Sequence, residues 1–94
     1  MKVNGYLFFT VLEKEYYTKK RTVEYKNNKE SYERGYCEFI RDTLVALNET
    51  HDFEEIKKRI NRAYDIKSEG KNEFSKGYFD ALNMCYELIH IELE

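Results

Sequence analysis

One nine-residue pattern occurs twice in this chain. Tyr32-Glu33-Arg34-Gly35-Tyr36-Cys37-Glu38-Phe39-Ile40 returns as Phe74-Ser75-Lys76-Gly77-Tyr78-Phe79-Asp80-Ala81-Leu82, at an offset of 42. The shared pattern is aromatic, any, basic, Gly, Tyr, any, acidic, any, Ile or Leu. Its apolar positions are three and four apart, so both copies are predicted to be helix with the glycine on the buried side. Glycine inside a helix costs roughly 0.5–1 kcal/mol relative to alanine. Two glycines at matching positions of a buried stripe therefore predict a close approach of backbones. The simplest arrangement crosses the two helices near Gly35 and Gly77, with Tyr36 and Tyr78 beside the crossing.

The rest of the chain suits a helical frame. No proline occurs in the 94 residues, which removes the strongest helix breaker. Asn27 or Asn28 offers an N-cap to a helix over 28–48, with Glu30 completing a capping box. Its stripe is Tyr32, Gly35, Tyr36, Phe39, Ile40, Thr43 and Leu47, and the polar run Asn48-Glu49-Thr50-His51 ends it. A third segment, 52–68, starts at Asp52 with Glu55 three residues on. It turns Phe53, Ile56, Ile60 and Ala63 one way with Tyr64 beside them, carries Glu54–Lys58 and Glu55–Arg59 as i,i+4 pairs, and stops at Gly70. A fourth, 72–93, is capped by Asn72 and has the most regular stripe: Phe74, Gly77, Tyr78, Ala81, Leu82, Cys85, Leu88 and Ile89.

Residues 1–26 are read two ways. Tyr6–Leu12 is apolar at nearly every position, so period does not separate helix from buried strand, and Arg21–Tyr25 alternates like a strand. Against a hairpin, no Gly, Pro, Asn or Asp lies between Tyr6 and Lys26 to make the turn. Asn4 as a cap, with Leu12, Tyr16 and Val23 on one face, favours helix. The expectation is a single domain over 1–94, mostly α, a compact bundle of three to four helices. The alternative is an α+β fold with an N-terminal hairpin on three helices.

Charge and cysteine content narrow the function classes. The net charge is −2, with 9 basic and 8 acidic residues over 1–50 and 7 basic and 10 acidic over 51–94. That balance supplies no global pull toward nucleic acid or an anionic membrane. Cys37 and Cys85 form no CxxC pair, and reduced thiols in a cytoplasm are expected. The apolar run 6–12 is too short for a span and lacks a cleavage site, so neither a targeting segment nor a membrane association is expected. Four scattered glycines make no phosphate loop, and His51 and His90 stand apart as surface or capping residues. No catalytic residue, metal site or cofactor is assigned, and the chain is read as a non-enzyme.

Two surfaces suit a partner. On the fourth helix Glu73, Asp80, Glu87 and Glu94 recur every seven residues, a narrow acidic stripe. Phe79 and Tyr86, with His90 a turn on, lie on the other flank of the apolar face, and an interface is expected to use Glu73, Phe79, Asp80, Tyr86 and Glu87. The competing view buries both rings in a wider core under the first segment. The second surface is basic: Lys58, Arg59 and Arg62 on the third helix, and Lys19, Lys20 and Arg21 behind Tyr16 and Tyr17. Rings interleaved with cations are used to stack bases and hold phosphates, so a small DNA- or RNA-binding regulator is the rival reading. A third has Phe79 and Tyr86 in the two-fold interface of a homodimer.

The twice-used motif at Tyr32–Ile40 and Phe74–Leu82 resembles segments of small proteins of bacteriophages and mobile elements in Gram-positive bacteria. The Lys-, Asn-, Tyr-, Ile- and Glu-rich composition is similar to theirs. Among such proteins are small inhibitors and regulators that bind a host protein, anti-CRISPR and other anti-defence proteins included. The resemblance implies a protein-binding inhibitor or regulator in the host-cell cytoplasm and does not name its target; the acidic stripe of the fourth helix would suit a basic cleft on a host nucleic-acid enzyme. The resemblance assigns no residue a role.

Overall fold

The structure, a computed structural model, describes residues 5–26, 31–66 and 72–90, and the side chains of all of these except 22–26. The described residues form four helices and no strand: α1 Gly5–Lys26, α2 Tyr32–Thr50, α3 Phe53–Ile66 and α4 Glu73–Ile89. The expected mostly helical bundle is what the chain forms, and the N-terminal hairpin is not. With no turn residue to reverse it, the first segment runs on as one 22-residue helix. Phe8 and Leu12, one turn apart, go fully into the core.

The helix ends follow from side chains that satisfy the free backbone groups. Ser31 caps α2, its Oγ accepting from Arg34 N at 3.2 Å, so the helix starts later than the Asn27 or Asn28 reading placed it. At the other end α2 runs through Thr50 and stops at His51, which takes a left-handed conformation and donates its N–H to Leu47 O at 2.9 Å. Thr50 Oγ1 donates to Ala46 O and accepts from Asp52 N, which turns the chain straight into α3. Asp52 Oδ1 accepts from Glu55 N, and Asn72 Oδ1 accepts from Ser75 N, so α3 and α4 start where their caps were expected. On α3 the pairs differ in part: Arg59 meets Glu55 at 3.3 Å, but Glu54 takes Lys57, not Lys58. The expected roles of Asn4, Asn27, Asn28, Gly70 and Glu94, and of the Val23 side chain, lie outside the described residues.

The centre of the bundle is the α2–α4 crossing. A Cβ built on Gly35 would lie 2.8 Å from the carbonyl carbon of Phe74, and closer still to its oxygen. One built on Gly77 would meet the carbonyl of Tyr32 in the same way. Because Phe74 and Tyr32 each stand three residues before the glycine of their own helix, the contact is reciprocal, and the repeated motif packs on its own copy. Tyr36 is buried beside this crossing. Tyr78 lies edge-on to Phe39, ring centroids 5.1 Å apart, and stays partly open to solvent.

The outer helices close the core. α1 lies along α2, where Cys37 Sγ faces Tyr16 O at 3.9 Å and the Tyr36 hydroxyl donates to Glu15 Oε2 at 3.5 Å. At its other end Phe8 reaches Phe53 of α3, rings 5.2 Å apart. α3 packs on α4 and on the second half of α2 through Ile56 and Ile60. Phe8, Leu12, Ile40, Ile56, Ala81, Leu82 and Cys85 form the dry centre.

Candidate interaction surfaces

The expected acidic and aromatic face of α4 separates into two. Successive helix residues are about 100° apart, so Asp80 and Phe79 point in different directions, as do Glu87 and Tyr86. Glu73, Asp80 and Glu87 are all exposed, along one line. Within it, Glu73 is held by Lys76 at 3.3 Å, and Asp80 accepts a hydrogen bond from the Tyr32 hydroxyl. Burial first, and that bond second, push the Tyr32 hydroxyl up to about 12.

The two rings turn the other way, and α3 covers Tyr86. Tyr86 stacks flat on Tyr64, centroids 3.7 Å apart and planes at 9°, and Phe79 packs against the core. His90 adds to this seam, its ring 4.5 Å from Tyr86 and its Nε2 3.0 Å from Asn61 Oδ1. Both rings are half-buried against the core, as the wider-core view of this flank expects, and for Tyr86 the cover is Tyr64 of α3. Tyr64 takes one face of the Tyr86 ring, which the two-fold reading also uses. Both histidines serve as C-caps, His51 to α2 and His90 to α4.

The basic residues are dispersed. Lys19 lies over the Tyr36 ring at 5.2 Å and Lys20 over the Tyr16 ring at 5.8 Å, which ties two cations of the Lys19–Arg21 run to rings of the same chain. Arg21 is exposed. On α3 Arg59 is neutralised by Glu55, while Lys58 and Arg62 are exposed.

A groove absent from the sequence-based expectations opens where α2, α3 and α4 meet. It encloses about 240 Å³. Phe39, Ala46, Ile56, Ile60 and Ala63 make its apolar lining, with Asp42 on the α2 wall, Arg59 on the α3 wall and Tyr78 at the α4 side. Tyr78 keeps its proton more firmly than a free tyrosine, through burial first and then the charges of Asp42 and Glu38. Small residues at 46 and 63 on facing helices are the one signal that could have indicated the hollow. Ile66, two turns beyond Arg59 on the same line of α3, is 76% exposed and extends the apolar surface past the groove.

The cysteines are core residues. Cys85 is fully buried, which pushes its thiol up to about 12, and burial also raises Cys37 against the opposing pull of Lys19 and Arg34. Thiols held protonated in this way are poor nucleophiles. Among the described residues no three His, Cys, Asp or Glu side chains gather into a metal-binding group, and no helix is long and apolar enough to cross a membrane. No family model matches the chain, and neither does any curated protein or solved structure with which it was compared.

Proposed function

We propose that this protein is a non-catalytic binding module that takes an apolar side chain of a partner protein into the groove between α2, α3 and α4. The carrying observation is the groove itself: an apolar hollow with one acid and one base on opposite walls. Its size sets the occupant. Pockets for drug-sized ligands run from about 300 to 1,000 Å³, and this one is smaller, suited to one bulky anchor from a peptide or helix. Both wall charges are paired within the chain, Arg59 with Glu55 and Asp42 with Arg41, so the apolar lining selects the anchor and the charges only frame it. Regulators that work by occupying a host protein, the class implied by the resemblance of the repeated motif, need such a surface and no reactive group. The exposed row Glu73, Asp80 and Glu87 is the second surface of the same reading, suited to a basic cleft.

Photo-reactive residues placed in turn at Ile66, Glu87 and Tyr17, in the producing cell, distinguish these surfaces. The expected result is a discrete adduct with one protein from Ile66, lost when Ala63→Leu fills the groove. Adducts from Glu87 alone would move the interface to the acidic row. Nucleic-acid adducts from Tyr17, weakening steeply with salt, would favour the rival regulator built on Lys19, Lys20, Arg21, Lys58, Arg59 and Arg62.

A further inference from the structure

The turn between α2 and α3 consists of two residues, His51 and Asp52. His51 holds φ 52° and ψ 25°, the left-handed region, where glycine is the usual occupant and a residue with a side chain is strained. No glycine or proline occurs from Tyr36 to Glu69, so nothing in the sequence stops a helix that runs on through the turn. The hydrogen bonds agree. His51 N already donates to Leu47 O, the partner it would have in a continuous helix. Asp52 N and Glu55 N now rest on side chains, Thr50 Oγ1 at 3.3 Å and Asp52 Oδ1 at 3.2 Å, and both would gain main-chain acceptors if the turn straightened.

The halves on either side of this turn meet through contacts that do not require a single chain. The α1–α2 half and the α3–α4 half are joined by the reciprocal approach of Gly35 to Phe74 and of Gly77 to Tyr32. The Tyr32–Asp80 hydrogen bond and the ring contacts Phe8–Phe53 and Phe39–Tyr78 add to that joint. A second copy offers every one of these contacts in trans.

We propose that two copies of this chain exchange halves: the turn at His51 straightens, and α3–α4 of each copy packs on α1–α2 of the other about a two-fold axis. The exchange goes beyond the groove reading and bears on the groove itself. In the dimer the α2 wall comes from one chain and the α3 and α4 walls from the other, so Asp42 and Arg59 across the hollow belong to different copies. Short connections under strain favour exchange, because the closed monomer keeps the strain and the dimer releases it at both hinges. The tether opposes it, holding the two halves at an effective concentration on the order of millimolar. The dimer is therefore expected when the chain refolds at high protein concentration, and it persists on dilution because its release requires the halves to separate.

The test is to refold the full chain from urea over a range of protein concentrations, dilute each sample to one common concentration, and measure sedimentation. The expected result is a dimer whose share rises with the refolding concentration and outlasts the dilution. His51→Gly, which takes the left-handed conformation freely, should lower that share at least roughly ten-fold. His51→Val, a β-branched residue that takes it worst, should raise the share. A glycine-rich insertion after His51 should abolish the dimer by letting the turn close without strain. The His51 side chain is exposed, so these changes leave the core intact, and helical circular dichroism checks each variant. A monomer at every refolding concentration, in His51→Val as well as in wild type, overturns the inference. So does a dimer that falls apart at once on dilution, or one indifferent to the His51 changes, since either would be held by an outer surface with the turn still closed.

Discussion

Gly77 sits against the backbone of Tyr32 so closely that no β-carbon fits between them: the added atom would lie 2.8 Å from the Tyr32 carbonyl carbon and 3.0 Å from Tyr36 N. Gly35 meets Phe74 in the mirror relationship. The obstacle at both sites is main chain in the first half of a helix, which cannot rotate away as a side chain can.

Alanine at either glycine therefore sets two effects against each other. Helix propensity alone would favour alanine by about 0.5–1 kcal/mol. Overpacking at a backbone contact costs about 1–3 kcal/mol, and more where the obstacle does not move. The clash should win: Gly35→Ala and Gly77→Ala are each expected to destabilise the fold by a net of about 2 kcal/mol in urea titrations, or to prevent folding. Gly5→Ala, where the neighbour is the Phe53 side chain at 3.2 Å, should cost much less. Equal midpoints for Gly77→Ala and wild type would refute the crossing.

Phe8 tests whether α1 is integral to the bundle. Its side chain is fully buried and meets Phe53 of α3, so Phe8→Ala leaves a cavity where α1 joins the core. A loss of about 3–5 kcal/mol is expected by chemical denaturation, against well under about 1 kcal/mol for Tyr6→Ala on the outer face of the same helix.

The Tyr64–Tyr86 stack is a direct test of the flank that α3 covers. A double-mutant cycle with alanine at both positions should return a coupling of about 0.5–1.5 kcal/mol beyond the area lost. Phenylalanine in place of Tyr86 should retain most of it, since the ring faces make the contact. A coupling near zero would mean that Tyr86 is free for a partner after all.

Alkaline pH should unfold the protein, and the sign follows from the direction of the shifts. Cys85 goes from its ordinary 9.0 up to about 12 through burial, and Tyr32 from 10.0 up to about 12 through burial and then its bond to Asp80. Tyr36 and Tyr78 move the same way, burial being the largest cause for each. A raised folded pKa means that the unfolded chain releases the proton first. Stability from these groups is therefore complete below about 9 and is lost progressively between about 9 and 12. Urea midpoints measured across that range should fall. Cys85→Ala, although less stable at neutral pH, should show a shallower first part of the decline.

The helices themselves were legible because their information is local. Phe74, Gly77, Ala81, Leu82 and Cys85 repeat with the period of the backbone, and Asp52 and Asn72 cap the turns that follow them. The α2–α4 crossing was legible for a less usual reason: a glycine on a buried stripe twice over has few explanations other than a close neighbour. α1 was harder, because residues 6–12 are apolar at consecutive positions and have no face of their own until α2 and α3 are in place. The start of α2 was ambiguous because Asn27, Asn28 and Ser31 are all capping residues, and only the packed position of the helix selects among them.

By itself, then, the order of residues determined three helical segments after residue 27 and the pair of glycines that lets two of them touch, since both depend on periodicity and on the absence of a side chain, while residues 1–26 stayed open between helix and hairpin. Tertiary structure alone decided which flanks remain in water. Phe79 and Tyr86 look as available as Tyr6 and Tyr17 along the chain, yet the first pair is half-buried, Tyr86 under Tyr64 of α3, while Tyr6 and Tyr17 stay exposed. Burial is a property of two elements brought together, and the groove at Asp42 and Arg59 exists only because three helices meet there with small residues between them.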